Sequence, residues 1–255
     1  MKIQNPDNVL PGAEGFFLKG SDTGVMMIHG GGGGTTADMR EFSQYIHEAT
    51  GFSVFVPLLP GYGTVKEDLL NIQVEDWLSA VKNWFLEFKN EMKKTFVLGH
   101  SMGGVLALFL GSEFVKDISG IVSISAPVKF KGLLIKFVPV FKYLLKYIRQ
   151  NDLEEWARVT DGVWTGYEYI PLSIVGKFKK LVKLNSAQLN KITAPILIIQ
   201  GTRDDFITKQ SPTQIFEKVR STDKTLKWFD SDHAILFSSI KTDMFASVIE
   251  FLKKL

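Results

Sequence analysis

The chain has 255 residues, 45% of them hydrophobic and 22% charged, with a formal net charge of +3 and no cysteine. A balance this near the globular average excludes collagen-like and disordered chains, the small positive surplus falls short of a dedicated nucleic-acid binder, and the absence of thiols removes disulfide frameworks, cysteine nucleophiles and zinc–thiolate sites. No apolar run approaches the roughly 20 residues of a membrane span, and Pro6, Asp7 and Asn8 stand where a signal peptide would need its apolar stretch, so a cytoplasmic protein is expected.

Short apolar, β-branched runs alternate with longer segments of helical period. Residues 24–29 (GVMMIH) predict a buried strand, and residues 37–49 a helix with Met39, Phe42, Tyr45 and Ile46 on one side. A strand at 52–56 (FSVFV) is stopped by Pro57 and by the Pro60-Gly61-Tyr62-Gly63 turn. Residues 75–88 carry Trp77, Leu78, Val81, Trp84, Phe85 and Phe88 at helical spacing. A strand at 95–99, a helix at 101–111 and a strand at 121–125 follow. From about Pro127 to Thr193 no convincing strand is legible. Alternation resumes with a strand at 195–200, a helix near 212–219, a strand at 225–229 and a helix over 239–253.

Strands that alternate with helices build a mainly parallel sheet covered on both faces. The expected organisation is therefore an α/β core of residues 1–126 and 194–255, with residues 127–193 inserted as a helical cap. Open parallel sheets place their sites beyond the carboxyl ends of the strands, and the chemistry-bearing residues of this chain fall there.

Gly99-His100-Ser101-Met102-Gly103 fits G-x-S-x-G and lies between an apolar strand and a helix, the context that motif requires. A serine on so sharp a turn projects its hydroxyl outward, and side chains two residues either side would collide. A hydroxyl is a weak nucleophile and needs a base. Of the four histidines, His29, His47, His100 and His233, only His233 lies C-terminal to the serine, in a loop after the last strand. The base needs an acid to hold its tautomer. Asp204, just after the 195–200 strand, completes the order Ser, Asp, His, with Asp205 in reserve.

The oxyanion needs backbone donors. The Met102 N–H supplies one, and Gly31, in the loop after the first long strand, is the candidate for the second, with Gly30 or Gly32 as alternatives. The five-glycine run 30–34 has no P-loop lysine behind it, and Thr35 stands where G-x-G-x-x-G would need its last glycine, so nucleotide binding is a poor reading. No cofactor and no metal is called for.

On these residues the chain resembles the α/β-hydrolase superfamily over essentially its whole length. More narrowly it resembles the microbial carboxylesterase and monoacylglycerol-lipase group with a small helical cap. The likeness is carried by His29-Gly30, residues 36–40 (TADMR), 57–63 (PLLPGYG), Glu75-Asp76-Trp77, the Ser101 turn, Ser125-Ala126-Pro127 and residues 201–207. It implies Ser101 as nucleophile, Asp204 as acid, His233 as base and oxyanion donors at Met102 and Gly31. Two departures stand out: glycine follows His29-Gly30 where the group usually carries a large residue, and Tyr62 stands where relatives often hold histidine, a position read as structural here.

The reaction implied is hydrolysis of short- to medium-chain acyl esters or monoacylglycerols through an acyl-enzyme. A feruloyl- or cinnamoyl-type esterase and a thioesterase are the alternatives on the same triad, and a small-molecule receptor on the same fold is the non-enzymatic one. The partner is a small-molecule ester, with no nucleic acid, and the sequence leaves the oligomeric state open. In the insertion, Phe130, Phe137, Phe141, Tyr143, Tyr147, Trp156, Trp164, Tyr167 and Tyr169 can roof an apolar acyl pocket or form the cap's own packing. Leu134, Val138, Phe141, Leu145 and Ile148 repeat at helical spacing. Residues 129–149 carry six bases and no acid. Such a segment can touch an anionic lipid surface transiently, although a plain solvated face is the preferred reading.

Overall fold

The structure is a computed structural model that describes residues 3–128, 146–160 and 162–255. Its centre is a seven-stranded sheet of β1 (Phe16–Leu18), β2 (Thr23–Ile28), β3 (Ser53–Val56), β4 (Lys94–His100), β5 (Gly120–Ile124), β8 (Ile196–Gly201) and β9 (Lys224–Phe229). The order across the sheet is β1-β3-β2-β4-β5-β8-β9. Every pairing is parallel except that of β1 with β3.

The two faces follow from the period of two along each strand. Met26 and Ile28 of β2 and Val97 of β4 face one core, with Trp77, Val81, Phe85 and Phe88 of α3 (Val74–Asn90) and most of α4 (Met102–Glu113). Val25, Met27, Val54 and Val56 face the other, with Met39, Phe42 and Ile46 of α1 (Ala37–Thr50) and Met244, Phe245 and Val248 of α8 (Lys241–Lys254). Phe42 and Phe245 stack with centroids 4.1 Å apart and join the two helices. Each buried Trp or Phe contributes on the order of 2–3 kcal/mol through apolar area removed from water. A short α2 (Asp68–Asn71) precedes α3, and α7 (Gln210–Lys218) links β8 to β9.

Two features depart from the sequence reading. β1 is an edge strand of three residues, too short to show alternation. The insertion also contains strands: β6 (Tyr147–Arg149) and β7 (Tyr169–Pro171) pair antiparallel, so Ile148 sits in a strand rather than on a helix. A three-residue strand whose partner is twenty residues away leaves no periodic trace. The insertion's described helices are α5 (Leu153–Val159), which buries none of its residues, and α6 (Ser173–Ser186), which seats Ile174, Leu181 and Val182 on the first core.

The helical repeat expected at 134–148 falls, except for Ile148, outside the described residues, as do Phe130, Phe137, Phe141, Tyr143 and most of the basic 129–149 segment. Trp156 and Trp164 stack at 5.2 Å, and Trp156 meets Phe237 edge-on, so this pair packs within the insertion and against the core. Tyr167 is buried against Tyr62.

Candidate active site

Ser101 stands between β4 and α4 with φ 54° and ψ −116°, a backbone region a serine occupies only under strain. Its N–H donates to the Ile124 carbonyl at 2.8 Å, and its own carbonyl accepts from the Val105 N–H at 3.2 Å. A methyl group on Gly99 would fall on the Gly103 carbonyl, and one on Gly103 would fall on the Ile28 carbonyl. The two glycines of the motif are thus where helix α4 presses onto the sheet, and that closeness holds the turn sharp.

β9 delivers His233 from its far side. The imidazole Nε2 lies 3.0 Å from Ser101 Oγ, and Nδ1 lies 2.8 Å from Asp204 Oδ2. An ionised carboxylate only accepts. The proton therefore sits on Nδ1 and leaves Nε2 free to accept from the serine hydroxyl. The loop is strapped by His100, whose Nε2–H donates to the His233 carbonyl at 3.0 Å. Burial, with the neighbouring His233 as the next cause, pushes the His100 imidazole down to about 3, so it works as a neutral donor. The Phe206 ring leans on His233 with centroids 5.3 Å apart.

Asp204 is almost fully buried at the end of β8, whereas Asp205 beside it is exposed. The N–H groups of Phe206 and Ile207 each donate to Asp204 Oδ1 at 2.9 Å, and Gln200 Nε2 donates to Oδ2 at 2.7 Å. Burial opposes the charge on this carboxylate, yet His233, the Ile207 N–H and Gln200 together outweigh it and hold the group below the usual carboxylate range. Of the two aspartates, it is Asp204 that the fold turns toward His233.

The glycine run lies alongside. A Cβ on Gly30 would sit 3.7 Å from Ser101 Cβ, and one on Gly31 would sit 2.7 Å from Met102 Sδ. His29 is fully buried. Its Nδ1–H donates to the Gly30 carbonyl at 2.8 Å, and its Nε2 accepts from the Leu59 N–H at 3.0 Å. Burial pushes its imidazole down to about 4, which keeps this bridge neutral. The Tyr62 hydroxyl donates to the Gly31 carbonyl at 2.9 Å. Gln200, His100 and Phe206 were not legible beforehand: they act on backbone or on a buried carboxylate, and no spacing marks such contacts.

Between α1, residues 236–237 and the insertion lies a cavity of about 270 Å³ lined by Asp38, Phe42, Val163, Trp164, Leu236 and Phe237. Trp164 Nε1–H donates to Asp38 Oδ1 at 2.7 Å. Burial pushes the Asp38 carboxyl up to about 7 in spite of that bond. Among the described residues no group of three His, Cys, Asp or Glu could hold a metal ion, and no helix is long and apolar enough to cross a membrane.

The chain is similar to several known proteins. Residues 21–238 match the Hydrolase_4 family, described as serine aminopeptidase, S33. A carboxylesterase of Bacillus subtilis (strain 168) is 29% identical over 247 residues, 94% of this chain and 96% of that protein. A thermostable monoacylglycerol lipase of Bacillus sp. (strain H-257) is 30% identical over 224 residues, 86% of this chain and 85% of that one. A solved structure from work on LipS and LipT, two metagenome-derived lipolytic enzymes, superposes with a TM-score of 0.86 at 22% identity, covering 97% of this chain and all of the other.

Proposed function

Because the chain belongs to the Hydrolase_4 family, serine aminopeptidase S33, we propose that it is a serine hydrolase of carboxylic esters, acting on short- to medium-chain acyl esters or monoacylglycerols. The observation that carries the reading is the unbroken line from Ser101 Oγ through His233 to Asp204, with contacts of 3.0 and 2.8 Å. The family description names a peptidase, but the relatives that align over most of this chain are a carboxylesterase and a monoacylglycerol lipase, and they favour an ester as substrate.

In this mechanism His233 Nε2 takes the Ser101 proton as Oγ attacks the ester carbonyl carbon. The carbonyl oxygen becomes an oxyanion held by the N–H groups of Met102 and Gly31. Asp204 stabilises the imidazolium while remaining ionised itself, a role suited to a carboxylate already held below its usual range. The imidazolium then protonates the leaving alcohol and the C–O bond breaks, leaving the acyl group on Ser101. Water attacks that acyl-enzyme with His233 again as base, and the acid departs. No cofactor enters these steps.

A panel of p-nitrophenyl esters and monoacylglycerols of increasing chain length, run beside aminoacyl p-nitroanilides, tests the substrate class. Turnover of the esters with optimum at short to medium chains is expected. Preference for the anilides would overturn the ester reading, and preference for cinnamoyl esters would move it to the feruloyl-type branch.

A further inference from the structure

A run of five glycines gives the chain next to Ser101 no side chains with which to hold its own shape. Ordering each residue costs about 1–2 kcal/mol of backbone entropy, and more for glycine. The loop is therefore as rigid as its hydrogen bonds make it, and those bonds come one per peptide plane. The Gly30 carbonyl accepts from His29 Nδ1–H at 2.8 Å and the Gly31 carbonyl from the Tyr62 hydroxyl at 2.9 Å. The Gly32 carbonyl accepts from Asn151 Nδ2 at 2.8 Å and the Gly33 carbonyl from the Tyr167 N–H at 2.8 Å. A peptide unit is planar and trans, so fixing a carbonyl fixes the direction of the following N–H. Four consecutive donors thus aim the N–H groups of Gly31 to Gly34.

The first two donors belong to the core and the last two to the inserted cap. Asn151 joins the halves. Its single Nδ2 donates both to the Gly32 carbonyl and, at 2.7 Å, to the Tyr167 carbonyl. Gly33 leaves room for this, with φ +91° and a missing Cβ that would stand 2.8 Å from both Asn151 Nδ2 and the Tyr167 carbonyl oxygen. Tyr167 in turn is anchored to the core. Its hydroxyl accepts from the Thr64 N–H at 2.9 Å and donates to the Gly61 carbonyl at 3.2 Å, and its ring stacks on Tyr62, the donor to Gly31.

We propose that Asn151 is a positioning residue for the oxyanion loop: His29 aims the Gly31 N–H through the Gly30 carbonyl, and Asn151, two peptide planes on, anchors the far side of the same turn, so that the seating of the cap sets how firmly the loop that carries that N–H is held. The inference rests on the ester-hydrolase reading above. On this account the cap completes the scaffold of the transition-state donor, and loss of the Asn151 and Tyr167 hydrogen bonds slackens the loop.

The test compares Asn151→Ala and Asn151→Asp with Lys177→Met, a control that breaks a different link between insertion and core. Lys177 Nζ donates to the Leu69 and Leu70 carbonyls, away from the glycine run. Removing an oxyanion donor outright costs on the order of 100- to 1000-fold in turnover, so loosening one should cost less, about 10-fold in kcat with KM within about twofold. Asn151→Asp should lose at least as much, since a carboxylate cannot donate to either carbonyl. An alkylboronic acid, whose serine adduct places an oxyanion in the same hole, should weaken by the same factor as kcat/KM. Lys177→Met should change neither. Unaltered kcat in the Asn151 variants, a boronate affinity that does not follow kcat/KM, or an equal loss in Lys177→Met would each overturn the proposal. Ser101→Ala run alongside separates the two ideas: full activity there removes the ester-hydrolase mechanism, and with it this role for Asn151. An inactive Ser101→Ala beside an unimpaired Asn151→Ala removes only the positioning role.

Discussion

The rim of the sheet and the cap are built by opposite means. At the rim, Ser101 and Asp204 follow strands that are paired on both sides, His233 follows the edge strand β9, and hydrogen bonds fix the turn that carries each. Ser101 is held by Ile124 and Val105, Asp204 by Phe206, Ile207 and Gln200, and the His233 loop by His100. The cap has little of this. α5 buries none of its residues, β6 and β7 pair only with each other, and Leu153, Val159, Val163 and Tyr169 are all substantially exposed. Among the described residues, its hold on the core near the site combines hydrogen bonds to the glycine run with the Tyr167 ring on Tyr62 and Trp156 on Phe237. Tolerance should differ accordingly: the rim is expected to keep its shape when a reacting group is removed, while an unseated cap is expected to reach the chemistry through the glycine run.

The sharpest way to break this comparison is at Ser101. Ser101→Ala should reduce kcat/KM by on the order of 10⁴-fold or more. The turn is held by backbone, so the unfolding midpoint should move by less than about 4 °C, the shift of roughly 1 kcal/mol in a domain of this size. A large loss of stability together with activity would mean that the hydroxyl supports the fold, and the separation of shape from chemistry at the rim would fail. Next in size is the acid. Asp204→Asn should cost about 10³- to 10⁴-fold in kcat by removing the charge that holds the His233 tautomer. Asp205→Asn, one residue along and exposed, should stay within about twofold, because the carboxylate that meets His233 Nδ1 is that of Asp204. Equal losses would mean that the two carboxylates share the role.

What the sequence made legible follows the same division. The Ser101 turn could be read because its glycines, its strand and its helix are adjacent in the chain. That Asp204 and His233 would meet Ser101 could be expected because each follows a strand and because the order Ser, Asp, His narrows the choice. The parallel sheet showed through its buried runs, such as residues 24–29 and 195–200. β1, β6 and β7 are three residues each and carry no period. Asn151 and Gln200 act on atoms that folding alone brings near, in the first case a carbonyl 119 positions away. The five glycines were visible at once, but what holds them was not, since a glycine run states only that some other group must supply its order.

Stability against pH separates the two regions more finely, because a core group under the glycine run and a core group that meets the cap titrate with opposite sign. His29 lies under the glycine run, and burial lowers its imidazole from 6.5 to about 4. A group depressed in the folded state contributes its full stability above the unfolded value and loses it as pH falls through the folded one. Between pH 6.5 and 4 the wild type should lose roughly 3 kcal/mol more than His29→Asn, which has no such group to protonate. Urea unfolding at intervals across that range measures this, and parallel curves for the two proteins would remove His29 as the source.

Asp38, which receives the Trp164 indole from the cap, behaves in reverse. Burial raises its carboxyl from 3.8 to about 7, so its contribution is complete below the unfolded value and is lost as pH rises through about 7. Asp38→Asn keeps an oxygen for the Trp164 N–H but cannot ionise. The variant should therefore gain on the wild type as pH goes from 5 to 8, by less than His29 costs in acid, because the Asp38 side chain keeps some contact with solvent. Tryptophan emission followed in the same samples, with the emission of the matching Trp164→Phe variant subtracted, reports the contact itself. If the emission of the wild type shifts over this range and that of Asp38→Asn stays constant, ionisation of Asp38 is what loosens the cap at this corner. If neither the stability difference nor the emission changes with pH, the indole bond is a passive contact and the ionisation of Asp38 has no part in seating the cap.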